Sequence, residues 1–490
     1  MAHKVLSTFV LDGFEKLLCA HGGWETICHA AHLTGNRMKL MSNALAAIEC
    51  LIKRHPRMRT RLRVEANSYF LDTLEYNPEY LSNDLFFSTI DSNESSWQYV
   101  VERRCNQDPY STDGTLIFPL FHFMLLFNSN ALETEDRFHL LLFESHCASD
   151  GRSGLVLVND FLTLVTSSNL NPTSEPLNAD ILPMISNLIP RPFGPFYPIL
   201  SFLGRHIYQR ELRKLTRPRI PVKLNPLPDS QSSRFDVPQY YTKFLFSSSS
   251  SDLYVNMHKQ CRLHEVTLNG PLLACLKLAI HHCFPLGDDT KLQPFPIGTA
   301  FDMRSRLPRS ALTKTSVGVF IGVSEVKLRR SLSIRSARFW SLAKKCMVLT
   351  RNQLKSEGVP LVMNLLTDIT TQDRSFARFT RSLPDGHHSE LAFSNIGKYP
   401  FSCEYNHDEI CLRGLHVINN SSVYRTTAVV FVTCAGDGQL DFSLAHEIDS
   451  DERAQQFLNV FLRLIEICAN EKLCRRETTL DDLLNALSTH

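Results

Sequence analysis

Apolar residues recur along this chain in two rhythms. Between residues 37 and 55 they fall at Met38, Leu40, Met41, Leu45, Ile48, Leu51 and Ile52. Steps of three and four lay one apolar stripe along a helix, which Pro56 stops. Helical spacing returns at 155–164, 267–282, 332–354 and 453–469, the last with Phe457, Val460, Phe461, Leu464 and Ile465 on one face. The second rhythm is the short unbroken run. Residues 116–127 and 138–143 are aromatic and leucine-rich, and runs this apolar predict strands covered on both faces. Residues 240–246, 294–303 and 316–323 add strands, and 428–434 with 440–444 make a hairpin around Asp437-Gly438.

Strands alternating with helices predict an α/β protein. A chain of 490 residues is too long for one ordinary core, and no repeat of fixed period divides it. Proline and serine thicken between Arg217 and Ser233. The expected division is an N-terminal lobe over 1–216, a linker over 217–238 and a C-terminal lobe over 239–490.

Composition narrows the function. Hydrophobic residues at 43% against 21% charged exclude a disordered chain. Fifty-two basic and 50 acidic residues leave a net charge of +2, too small a field to gather nucleic acid or an anionic membrane. The 14 cysteines are scattered singly, with no C-x-x-C pair and no His/Cys spacing for zinc, which points to reduced thiols, no metal and a cytoplasmic setting. The first residues lack a secretory leader pattern. The most apolar long stretch, 181–204, is broken by Pro183, Pro190, Pro192, Pro195 and Pro198, so no transmembrane span is expected. That aromatic segment is read as short helices packed on the body, with peripheral contact to a bilayer as the sharper alternative.

Candidate chemistry concentrates directly after the 138–143 strand, in Glu144-Ser145-His146-Cys147-Ala148-Ser149-Asp150-Gly151-Arg152-Ser153. A histidine at the end of a buried strand has a rigid support, and its imidazole titrates near working pH. It can take a proton from an attacking hydroxyl and return it to a leaving group. Asp150 begins a tight turn, and Gly151 is expected to relieve steric limits where the chain enters the next helix. The plainer reading of such a histidine is a satisfied structural residue. Cys147 is read as inert and buried, since neighbours on an extended chain point in opposite directions. No G-x-S-x-G, Walker A or G-x-G-x-x-G pattern is present, and His281-His282 and His387-His388 are read as surface pairs.

Phe143-x-x-His146-x-x-x-Asp150-Gly151-x-Ser153 resembles the signature of CoA-dependent acyltransferases of the chloramphenicol acetyltransferase type. That superfamily includes peptide-synthetase condensation domains, plant BAHD enzymes and alcohol O-acetyltransferases. Residues 43–61 are similar to its first core helix and following turn, 267–274 to the helix opening the second lobe, 301–306 to an arginine-bearing strand end, and Ser394-Asn395-Ile396-Gly397 to a late S-N-x-G segment. Leu11–Glu15 most resembles alcohol acetyltransferases.

The resemblance implies two chloramphenicol acetyltransferase-like lobes, each a mixed β-sheet flanked by helices, with an active-site tunnel at their interface. It implies acyl transfer from acyl-CoA, acetyl-CoA above all, to a small alcohol or other hydroxyl acceptor. Acyl-CoA is then a co-substrate, no cofactor is bound permanently, and a monomer is expected. His146 would be the general base, with no covalent acyl-enzyme. Asp150 would be structural and paired with Arg304, with Arg306 in reserve; Gly151 would keep the channel open; Ser394 and Asn395 would bind substrate or simply form a strand-end turn. The basic run 327–338 is read as a solvated helix face, or as a contact for CoA phosphates. Two departures steer the subfamily: Ser145 stands where condensation domains carry a second histidine, and Asp441-Phe442-Ser443-Leu444-Ala445 keeps only the first two residues of the BAHD Asp-Phe-Gly-Trp-Gly, so that Asp441 reads as a strand-end residue. Both point to the alcohol O-acetyltransferase branch. The rival reading is a non-catalytic two-lobed relative that binds a ligand or partner without turnover.

Overall fold

The computed structural model describes residues 4–19, 24–65, 68–78, 86–91, 96–107, 120–128, 137–178, 182–190, 193–199, 201–203, 206, 219–225, 227, 240–285, 287–307, 312–356, 358–370, 389–407, 409–420, 426–436 and 438–487. Two six-stranded sheets organise it. Across the first run the strands Glu404–Tyr405, Ile410–Asn419, Thr26–Gly35, Arg137–Ser145, Phe121–Phe127 and Phe87–Asp91. All neighbours pair antiparallel except the last two strands. Across the second run Ile321–Val326, Ile297–Asp302, Ser389–Lys398, Thr426–Ala435, Gln439–His446 and Lys243–Ser248, with parallel pairings on both sides of 389–398. Both sheets are therefore mixed and flanked by helices, as the family resemblance implies.

The unbroken apolar run of the 137–145 strand has a direct cause. Leu140 and Leu142 face Leu155, Phe161, Leu40 and Ile48 of the helices Gly151–Thr166 and Arg37–Arg54. Leu141 and Phe143, on the opposite side of the pleat, join Ile27, Ala30 and Val417 against Phe244, Phe431 and Ala445 of the second sheet. Each such side chain is worth about 1.5–3 kcal/mol when removed from water, so the strand is held from both faces. In the second lobe Leu272, Leu276, Phe457 and Phe461, from the helices Asn269–Cys283 and Asp451–Ala469, pack on Val430 and Phe442 of the sheet.

Several expectations need correction. Residues 332–333 form a short strand with 291–292, and the helix read over 332–354 begins at Phe339. The basic residues Lys327, Arg329, Arg330 and Arg335 are exposed on non-helical chain, not on a helix face. The strand placed at 316–323 starts at Ile321 and ends at Val326. His281 is buried, because its helix packs into the second core. Asp441 lies inside its strand, not at the end: Oδ1 accepts from Ser248 Oγ at 2.6 Å and Oδ2 from Leu415 N–H at 2.8 Å. It ties the second sheet to the 410–419 strand of the first. Residues 116–119, Asp437 and 387–388 lie outside the described residues, as does most of 217–238. Within that last stretch, Arg219 and Ile220 donate their backbone N–H groups to Glu390 Oε2 at 2.5 and 2.8 Å.

Within 181–204 the described chain forms short helical turns: Met184, Ile185 and Tyr197 are buried, while Phe196, Ile199 and Phe202 are exposed. Among the described residues no helix is long and apolar enough to cross a membrane.

Candidate active site

The 137–145 strand ends in a turn over 146–148, after which Asp150 caps the helix Gly151–Thr166. His146 is pinned in this turn. Its backbone N–H donates to Glu25 O at 2.9 Å, and Ala148 and Ser149 N–H close on Ser145 O at 2.9 and 3.2 Å. His146 is 7% exposed, and its Nδ1 lies 2.8 Å from Ser149 O. A carbonyl oxygen only accepts, so Nδ1 carries the proton and the neutral ring keeps its lone pair on Nε2. Burial lowers the pKa of His146, while the Ser149 carbonyl and the charge of Asp150 act against it. A neutral imidazole with a lone pair on Nε2 is a competent base.

Asp150 faces away from that ring, with both oxygens bonded. Oδ1 accepts from Ser153 N–H at 2.8 Å, which caps the helix, and from Arg304 Nη2 at 3.0 Å. Oδ2 accepts from Phe320 N–H at 2.7 Å. Burial works against its charge, but the Arg304 guanidinium and these hydrogen bonds hold the pKa below the usual carboxylate value. Arg304 reaches across from the second lobe, also donating to Ser153 Oγ at 2.8 Å, Ser316 O at 3.0 Å and, through Nη1, Asp302 Oδ1 at 3.0 Å. Its guanidinium lies over the Phe320 ring at 4.9 Å. Arg306 is elsewhere: its Nη1 donates to Leu354 O at 2.8 Å.

Gly151 differs from expectation, because its backbone is not in the left-handed region. The reason for glycine there is space: a β-carbon would meet Ile396 Cδ1 at 2.8 Å. Ile396 belongs to the 389–398 strand, whose pairing with 426–435 shifts register between Asn395 and Gly397. Gly397 has φ +85°, open to glycine without strain, and the irregularity sets Ile396 against the start of the 151–166 helix. Ser394 and Asn395 are half-buried on that strand, and Asn395 Nδ2 donates to Asn269 Oδ1 at 3.4 Å. Among the described residues neither hydrogen-bonds to His146.

Cys147 sits in a turn and not on extended chain, so the alternation argument does not apply to it. It is buried all the same, with Sγ 3.2 Å from Ser145 Oγ. Sequence reasoning missed the parts played by Glu25, His29, Glu144, Ser149, Ser316 and Phe320. Only Glu144, a carboxylate closing an apolar run, and His29, a histidine among alanines, carried a readable signal. Among the described residues no group of three His, Cys, Asp or Glu could hold a metal ion.

No protein-family model and no curated protein sequence matches the chain. Solved structures do. The trichothecene 15-O-acetyltransferase of Fusarium sporotrichioides superposes with a TM-score of 0.71 at 12% identity, over 95% of this chain and 97% of its own. Polyketide synthase associated protein 5 of Mycobacterium tuberculosis gives 0.59 at 15% identity, over 95% of this chain and 100% of its own. The starter condensation domain of rhizomide synthetase, solved as a mutant with C8-CoA and Leu-SNAC, gives 0.58 at 11% identity, over 97% and 96%. The chain therefore has the two-lobed, mixed-sheet fold of these acetyltransferase and condensation-domain structures.

Proposed function

We propose that this protein is a CoA-dependent O-acyltransferase of the alcohol acetyltransferase kind, moving an acyl group, acetyl in the simplest case, from CoA to the hydroxyl of a small alcohol. The observation that carries this reading is the state of His146: neutral, with its proton tied on Nδ1 to Ser149 O and its lone pair on Nε2. The similarity to an acetyltransferase and to a domain solved with an acyl-CoA supports it.

In the proposed reaction His146 Nε2 accepts the hydroxyl proton as the acceptor oxygen attacks the thioester carbonyl. The tetrahedral adduct collapses with cleavage of the C–S bond, and the imidazolium returns its proton to the CoA thiolate. The products are an ester and free CoA, with no acyl group carried on the protein. Asp150 and Arg304 take no part in the proton transfers; they hold the loop. Such a protein works as a monomer in the cytoplasm, where acyl-CoA is available and cysteines stay reduced.

Thiol release from acetyl-CoA, measured with a panel of primary and aromatic alcohols, tests this. At least one alcohol accelerates release, and His146→Ala lowers the rate by roughly a hundredfold or more. A His146→Ala protein as active as wild type overturns the reading. Release by no alcohol favours the non-catalytic rival.

A further inference from the structure

Behind the His146 loop lies a set of buried polar groups that the acyl-transfer steps do not touch. His29 stands on the 26–35 strand, fully buried, with Nε2 2.9 Å from Gly151 O. That carbonyl only accepts, so the proton is on Nε2 and the lone pair on Nδ1. His29 Nδ1 faces Glu144 Oε2 at 3.6 Å. Glu144 Oε2 accepts from Ser149 Oγ at 3.0 Å, and the carbonyl of the same Ser149 takes the Nδ1 proton of His146 at 2.8 Å. Thus the carboxyl group that lies beside His29 is hydrogen-bonded to the serine whose carbonyl holds the His146 ring.

Packing leaves these groups nowhere else to go. A β-carbon on Gly154 would lie 2.0 Å from His29 Cε1, so the first turn of the 151–166 helix rests directly on the imidazole. Among the described residues Glu144 Oε1 and His29 Nδ1 have no hydrogen-bond partner. The ionisable groups facing the pair are Asp150 and His146 from the loop and Cys28 from the 26–35 strand. Glu25, behind the loop, turns its side chain to Asn419 and its carbonyl to the His146 N–H. No lysine or arginine enters hydrogen-bonding or ion-pair contact with Glu144 among the described residues. A charged Glu144 would put a second carboxylate in the same dry loop as Asp150, with no cation of its own, and would draw a proton onto His146.

We propose that Glu144 and His29 are positioning residues, an uncharged acid–imidazole pair that holds Ser149 so that its carbonyl keeps the His146 proton on Nδ1. This rests on His146 being the general base, and it assigns the groups that keep the base in its working tautomer. Burial, joined by the charge of Asp150, pushes the Glu144 carboxyl well above its ordinary range against the Ser149 hydrogen bond, and burial takes His29 down to about 4. His29 is then neutral near pH 7, and burial biases Glu144 toward its neutral acid form. A neutral acid keeps the hydrogen bond to Ser149 without adding the field that would charge His146.

The test uses the full-length protein carrying nitrogen-15 histidine, with His146→Ala to identify the ring signals. Infrared difference spectra of wild type against Glu144→Gln at pH 7 should show one carboxylic-acid carbonyl band lost. In Glu144→Gln, an isosteric neutral replacement, the His146 ring keeps its Nδ1–H tautomer. In Glu144→Leu, which cannot accept from Ser149, the two ring tautomers mix, and thiol release from acetyl-CoA with an accepted alcohol falls about tenfold. If Glu144→Leu does not fold, Ser149→Ala removes the same hydrogen bond with less disturbance and should shift the tautomer in the same direction. Absence of the carboxylic-acid band, or an unchanged His146 tautomer in both Glu144→Leu and Ser149→Ala, overturns the proposal. The ring signals need no turnover, so failure of the acyltransferase reading would be seen separately, as thiol release that no alcohol stimulates.

Discussion

One carboxylate fastens three segments beside the candidate base. Asp150 accepts from Ser153 N–H in the helix it caps, from Phe320 N–H in the second lobe, and from the guanidinium of the buried Arg304. Removing it leaves the buried Arg304 with the half-exposed Asp302 as its one remaining carboxylate among the described residues, a loss of up to about 3–5 kcal/mol. Asp150→Ala should therefore lower the urea midpoint sharply while leaving the urea dependence of the transition unchanged. The pH dependence has a definite direction. The folded pKa is depressed, so the stabilisation is present above the unfolded value of about 3.9 and is lost as pH falls through the lower folded value. Unfolding curves of wild type and Asp150→Asn should diverge at pH 7 and draw together below about pH 4. Persistent divergence in acid would mean that the carboxylate's charge is not the source of the stability. His146 and Asp150 were legible because both fall in one short stretch at a strand end. Glu144 and His29 were far less so: what makes them informative is burial beside each other, and that comes from register between strands over a hundred residues apart in the chain.

At the scale of elements, the 151–166 helix meets the 389–398 strand closely at Gly151, where an added β-carbon would lie 2.8 Å from Ile396 Cδ1. Gly151→Ala would push on the tip of a side chain and not on backbone, a cost of about 1–3 kcal/mol if the core cannot give. Ile396→Val deletes the offending carbon. The double variant Gly151→Ala/Ile396→Val should be more stable than the sum of the two single changes predicts, and a melting-temperature cycle reads that coupling. Strict additivity would place the role of Gly151 elsewhere. Helices with a full apolar stripe, such as Arg37–Arg54 and Asp451–Ala469, were readable to within a few residues. The central strand Thr26–Gly35 was not, because Cys-His-Ala-Ala-His offers neither alternation nor β-branched residues, and its place in the sheet comes from its neighbours on either side. The helix read from Leu332 began too early since nothing from Ser333 to Arg338 breaks a helix; pairing of 332–333 with 291–292, and the bridge from Arg338 to Thr479, override local preference there.

The whole molecule is less divisible than its sequence looks. Proline and serine around 217–233 invite a cut between two lobes, and periodicity contains no sign that a strand from the second half returns to the first sheet. Yet Ile410–Asn419 pairs along the full length of Thr26–Gly35, from Ile410 opposite Gly35 to Asn419 opposite Ile27. An isolated 1–216 fragment would leave that edge of the 26–35 strand unpaired. It would also bare Ile27, Ala30, Leu141 and Phe143, which the second sheet covers with Phe244, Phe431 and Ala445. An exposed edge and an uncovered apolar face together favour aggregation over folding. The 1–216 fragment expressed alone should show no cooperative unfolding transition. Fragments 1–230 and 231–490 produced together should instead co-purify as one complex with the circular dichroism of the intact chain, because every strand then finds its partner. A cooperative transition in isolated 1–216 would mean that the first sheet closes without its borrowed strand. The loop carrying His146 would then be supported by the N-terminal half alone.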